Sequence, residues 1–206
     1  MGAEMAIASR CGDAVRRICV GITGAVVVAG LVLSTVTAFA GVTSTTSQRY
    51  YSVSGTSKAS LASKMRNNPF RGDGGGAIAN IRPNYSLDVR TIKTGSKCKV
   101  SEANLRIRFT LTLPRARESA MSAGTRTFWR SFVSFARRHE QRHRDIYLQC
   151  ARNFVAKAQR LSGPNCAALK TKARRLLAAE ERACDRRHAA FDRSERRRLS
   201  GQRLFR

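Results

Sequence analysis

The stretch TRTFWRSFVSFARRHEQRHRDIYLQCARNFVAKAQRL, residues 125–161, decides the fold. Phe128, Phe132, Phe135, His139, His143, Ile146, Cys150, Phe154, Ala158 and Leu161 recur in steps of three or four. That spacing lines one face of a helix of about ten turns. Ser122 to Thr125 supplies its start, and Ser162-Gly163-Pro164-Asn165 ends it and opens a new one. A second helix is expected from about Cys166 to Phe191, with Leu169, Leu176, Leu177, Ala183 and Ala190 on its apolar side. Together they predict an α-hairpin followed by a frayed basic tail, about residues 193–206.

Two positions of the stripe are histidines, and they frame the one motif that carries chemistry. His139-Glu140-Gln141-Arg142-His143 is H-E-x-x-H. On a helix, imidazoles at i and i+4 project from one face a turn apart and can share a zinc ion. Glu140, beside the first of them, is placed to take a proton from water. The bland alternative is a pair of structural histidines on a basic helix, since Arg137, Arg138, Arg142 and Arg144 surround them. Trp129 reads as a core aromatic, Tyr147 as a packing residue within reach of a substrate carbonyl, and Asp145 as an ion-pair partner. Arg182, Arg186, Arg187 and Arg196 to Arg198 could track phosphates or form a solvated face.

Upstream, periods of two replace the helical period. Leu105, Ile107, Phe109, Leu111 and Leu113 alternate with Arg106, Arg108, Thr110 and Thr112, a strand with one buried face that Pro114 should stop. Gln48 to Gly55 and the alternation of Tyr85, Leu87 and Val89 predict two more strands. Ser57 is placed to cap a short helix ending by Asn67-Asn68-Pro69. RGDGGG, residues 71–76, reads as a loop. The fold class expected is α+β: a small N-terminal antiparallel sheet with a short helix, packed on a C-terminal α-hairpin that carries a zincin-like H-E-x-x-H helix.

Arg10, Arg16 and Arg17 precede an uncharged run from Ile18 to Gln48 with the apolar centre ICVGITGAVVVAGLVL. Ala38-Phe39-Ala40 ends it with a small-x-small cleavage signal, so residues 1–40 read as a signal peptide and the product as secreted or periplasmic. Retained, residues 18–40 would instead serve as a membrane anchor. Residues 41–206 form the expected single domain.

The chain has 206 residues and a net charge of +26, from 39 Lys and Arg against 13 Asp and Glu. Near-average hydrophobic content, 42%, excludes wholesale disorder. The charge points to an anionic partner such as an envelope polymer, and no specific nucleic-acid motif accompanies it. Cleavage would leave Cys98, Cys150, Cys166 and Cys184, an even set without C-x-x-C spacing, which excludes a zinc finger and suits disulfides in an oxidising compartment. Cys166 and Cys184 lie about 27 Å apart on one predicted helix, too far to bond. Cys150–Cys166 would need the first helix to break early, which leaves Cys98–Cys166 and Cys150–Cys184.

RYYSVSGTSKASLASKM (residues 49–65), Cys98-Lys99-Val100, Thr112-Leu113-Pro114, Trp129, His139 to His143 and Cys166 together resemble a bacterial family of predicted secreted zinc-dependent proteases, domain of unknown function 922. The resemblance implies a zinc cofactor and a peptide or protein substrate. The family's C-terminal pattern, Asn-x-x-Tyr-Asp-x-x-Thr-x-His-Gly, corresponds here to HAAFDRSERRR, residues 188–198. Phe191 and Asp192 keep its aromatic and its Asp, while Arg197-Arg198 replace its His-Gly. Loss of that histidine opens the alternative of a non-catalytic, highly basic exported module that binds an anionic envelope polymer or nucleic acid.

A catalytic zinc usually takes three protein ligands and leaves one position for water. With the hairpin turning at Ser162 to Asn165, His188 falls level with His139 across an interhelix distance of roughly 8–10 Å. The expected set is therefore Glu140 as base and His139, His143 and His188 as zinc ligands. Glu181, in E-x-x-x-D spacing with Asp185, and then Asp192 are the alternatives to His188. The 105–113 strand is a candidate edge on which an extended substrate could pair.

Overall fold

In the computed structural model the backbone is described over residues 37–39, 41–72 and 75–200, with side chains over 41–71 and 77–196. In chain order the elements are β1 (Thr37–Phe39), β2 (Val42–Val53), α1 (Lys58–Asn67), β3 (Phe70–Gly72), β4 (Gly75–Ala77), β5 (Asn80–Thr94), β6 (Lys97–Ala116), a 3-10 turn (Glu118–Ala120), α2 (Ala123–Ala158), β7 (Ser162–Gly163) and α3 (Cys166–Ser200). The class is mixed α+β. One sheet runs in the order β1-β2-β6-β5, with β7 pairing β6, and β3-β4 form a separate ribbon.

β6 is the centre of the sheet. Its buried residues follow one parity at Cys98 and Val100 and the other from Ala103 to Leu113. The change falls where the β5 register slips between Arg90 and Thr91, so Ser101 is an extra residue in β6. β5 and β6 pair antiparallel through a two-residue turn in which Gly95 takes φ 60. β2 pairs with β6 in parallel from Val42–Leu105 to Val53–Ala116. The sheet is thus mixed, which corrects the antiparallel expectation: α1 and the β3-β4 ribbon intervene between β2 and the β5-β6 hairpin and allow β2 to return in the same sense as β6. Two further corrections concern β6. Pro114 does not stop it, because Asn80 already ends β5 opposite Thr112 and leaves β6 one open side, where a sheet tolerates proline. Paired with β2 and β5 from Leu105 to Thr112, β6 offers no edge there for an extended substrate; among the described strands the edges are β1, β2 beyond Ser44, and β5.

The helices cover one face of this sheet. α1 starts as expected at Ser57, whose hydroxyl accepts from the Ser60 amide. α2 starts at Ser122, whose hydroxyl accepts from the Thr125 amide, and it packs on β2, β5 and β6. Phe154, Ala158, Leu105, Ile107, Phe109 and Leu113 make the centre of the main core. Trp129 and Phe132 pack with Val53, Leu61 and Met65 in a second cluster. α3 is capped by Asn165, whose side-chain oxygen accepts from the Ala167 and Ala168 amides at 2.8 and 3.2 Å. It continues past the expected end at Phe191 to Ser200, because Glu195 and the arginines that follow favour helix and no Gly occurs before Gly201. Residues 201–206 lie outside the described residues, as does nearly all of the expected signal segment 1–40. Among the described residues no helix is long and apolar enough to cross a membrane. At the expected cleavage point Gly41 takes φ 79, and a Cβ there would meet the Ala103 carbonyl oxygen at 2.6 Å, so only glycine fits.

Both expected disulfides form. Cys98–Cys166 ties the start of α3 to β6, and Cys150–Cys184 ties α3 to α2. Peptide mapping without reductant should recover these two links and no Cys166–Cys184 peptide. Replacing Cys150 and Cys184 by Ala should lower stability by roughly 2–5 kcal/mol in denaturant titration, with the protein oxidised throughout. By the same titration Phe154→Ala should cost about 3–5 kcal/mol, since its ring is fully buried.

Candidate metal centre

Helical spacing brings the imidazoles of His139 and His143 together as the motif requires. Their Nε2 atoms lie 3.1 Å apart. Asp192 of α3 completes the group, with Oδ1 3.0 Å from His143 Nε2 and 3.4 Å from His139 Nε2. Among the described residues, no other three His, Cys, Asp or Glu donors lie close enough to share a cation. Phe191 packs on both imidazoles, with ring centroids at 4.9 and 5.0 Å. The His139 and His143 side chains are 19% and 13% exposed and Asp192 is 40% exposed, so the group opens to solvent on the Asp192 side.

His188, expected among the ligands, stands behind His143 rather than beside Asp192. Its Nδ1 is 2.8 Å from Nδ1 of His143, the ring nitrogen turned away from the group. Its Nε2 is 3.6 Å from Cys184 Sγ, and the Tyr147 ring packs on it at 4.0 Å. Helix register explains the difference. Level matching assumed a tight turn, but residues 159–165 carry the chain past the end of α2 to β6, where β7 pairs with Cys98 and Lys99 and Cys166 is bonded. α3 is therefore displaced by one turn from the assumed register, and Asp192, four residues after His188, comes level with His139. Glu181 lies elsewhere, in a pocket with Asp185, Tyr85 and Tyr147. A signal for this arrangement was present in the sequence. His188 and Asp192 stand at i and i+4 on α3, the same spacing as His139 and His143 on α2.

The hydrogen-bond roles form a consistent chain. With the shared proton on His143 Nδ1, that nitrogen donates to His188 Nδ1, and His143 Nε2 presents a lone pair toward His139 and Asp192. His188 then carries its proton on Nε2 and donates to Cys184 Sγ. Burial lowers the His188 pKa to about 4, helped by His143 and opposed by Asp192, so its ring is neutral near pH 7. Burial likewise holds His143 down; the Asp192 charge opposes this and His139 adds to it. His139 Nδ1 is buried without a hydrogen-bond partner among the described residues.

Glu140 points to the sheet side of α2 and is 6% exposed. Burial raises its pKa to about 7; a backbone hydrogen bond from Ile81 on β5 works against this, and the Asp192 charge adds to it. Trp129 is buried in the second cluster and Tyr147 packs between Phe109 and His188, both in structural positions.

No curated protein and no solved structure matches this chain. A family model described as bacterial protein of unknown function (DUF922) matches residues 48–201, a span that holds every residue of the candidate centre and well over half of the chain. The chain belongs to the DUF922 family of bacterial proteins.

Proposed function

We propose that the chain is an exported zinc-dependent metallopeptidase, with His139, His143 and Asp192 as metal ligands and Glu140 as the proton acceptor. One observation carries this reading: the three candidate donor atoms stand 3.0, 3.1 and 3.4 Å from one another. Ligands held tetrahedrally about zinc at about 2.0–2.1 Å lie about 3.3 Å apart. Two imidazoles and a carboxylate also form a donor set that suits zinc and leaves one position open.

When bound, zinc supplies Lewis acidity that polarises a carbonyl and lowers the pKa of water. The residues of this chain do the rest. His188 Nδ1 accepts a hydrogen bond from His143 Nδ1–H and so fixes the tautomer whose Nε2 lone pair faces the centre. Phe191 orients both imidazoles and keeps water off one side of them. Glu140, on the helical turn between the two histidines and raised by burial to a pKa of about 7, would be the group to hold a proton taken from water there. Two disulfides and the A-x-A signal at residues 38–40 favour an oxidising, exported setting. The alternative, a non-catalytic basic module for an anionic envelope polymer or nucleic acid, is favoured by the net charge of +26 and by Arg197-Arg198 in place of the family's His-Gly.

Glu140→Gln should retain zinc at the parent stoichiometry, measured by elemental analysis, and lose hydrolysis of an unfolded protein substrate read by mass spectrometry. Turnover by this variant would remove Glu140 as the base. In competition with a chelator, His188→Ala should weaken zinc by about 10–100-fold and Asp192→Ala by more. The reverse order would return His188 to the first coordination sphere. A parent chain that holds no zinc yet binds polyanions would favour the basic module.

A further inference from the structure

On the side of α2 that faces β2, away from α3, lies a cleft of about 1190 Å³. α2 marks the direction: Arg144 donates to Thr46 and Ser44 of β2 and Arg137 donates to Gln48, while His139 and His143 meet α3. Trp129, Val53 and Pro114 lend the cleft an apolar lining. Arg115, Arg117, Arg130 and Arg137 also line it, with Glu118 as the one acid. Glu118 is already taken by Arg130, at 2.7 Å. Among the described residues, no carboxylate pairs with Arg115, Arg117 or Arg137, and Arg115 stacks over Tyr50, whose ring is half exposed.

Past Ser44, the β2 edge bordering this cleft has no partner among the described strands. β1 reaches only as far as Ser44, so from Thr45 to Val53 no described strand pairs on the outer side. That leaves about 30 Å of backbone in regular β conformation, with no register break against β6. Unpaired edge amides and carbonyls are a template for another extended chain. This protein's own tail is a poor occupant, because residues 193–206 are strongly basic.

We propose that this cleft binds an extended acidic segment of a partner protein, added to β2 as a further strand. Its main chain pairs with the β2 edge. Alternate side chains point toward α2, and their carboxylates meet Arg115, Arg117 and Arg137 while the residues between face away. The proposal is independent of the metal centre, and the binding needs no zinc.

The test uses a labelled six-residue peptide alternating Glu and Val, its Gln/Val counterpart, and an analogue N-methylated at alternate amides. Binding is read by anisotropy, with and without zinc, and the emission of Trp129, the single tryptophan, reports on the cleft. Arg115→Glu with Arg117→Glu should weaken the Glu/Val peptide by about tenfold or more, against about twofold or less for Arg174→Glu with Arg175→Glu, exposed α3 positions giving the same change in net charge. Arg137→Glu alone should act in the same direction and provides the reading if the double variant fails to fold. The N-methylated and Gln/Val peptides should bind weakly. Equal losses from the two double variants, or full binding by the N-methylated peptide, would overturn the proposal. So would a single-stranded oligonucleotide whose binding depends on Arg115 and Arg117 more than that of the peptide does.

Discussion

The register of α3 against α2 is the constraint on which the candidate centre depends. A helix turn is about 5.4 Å, so a slip of one turn exchanges the residue opposite His139 completely. Three features hold the register at Asp192. Cys98–Cys166 and β7 fix where α3 begins, Cys150–Cys184 fixes its level midway, and Leu169 and Ala173 are buried along it. The same Cys184 sulfur sits under His188, so the disulfide that sets the register also floors the imidazole chain that reaches His143.

The sheet serves this centre as a rigid platform. β6, paired on both sides and buried along one face, carries α2 at a fixed height, and Ile81 on β5 meets Glu140 from below. Burying a carboxyl and two imidazoles is costly unless they are neutral or matched to charge. Burial pushes Glu140 up and His143 and His188 down, which is the neutralising direction for each. A bound cation would reverse the local balance, favouring the ionised carboxylates and the lone pairs of the imidazoles.

Much of this was legible in the residues themselves. The phenylalanine and histidine stripe located α2 to within a few residues, and Ser57, Ser122 to Thr125 and the break at Ser162 to Asn165 marked helix starts that the structure retains. The four cysteines fixed two links by elimination, since a helix cannot fold back on itself. Properties set by distant parts of the chain were less legible. The sense of β2 relative to β6 depends on the crossover that follows β2, and no local pattern in Gln48 to Gly55 encodes it. The displacement between His188 and Asp192 depends on how far residues 159–165 travel before α3 begins, which spacing alone does not give. Pro114 misled because its tolerance depends on where β5 ends.

The measurement that bears most directly on this account is X-ray absorption at the zinc edge, on purified protein loaded with zinc. The account predicts about one zinc per chain, with two imidazole nitrogens and one carboxylate oxygen among its ligands at about 2.0–2.1 Å. A shell with three imidazoles would show that His188 binds the metal and that the register drawn between α2 and α3 is wrong. Protein that takes up no zinc would contradict the metal centre itself.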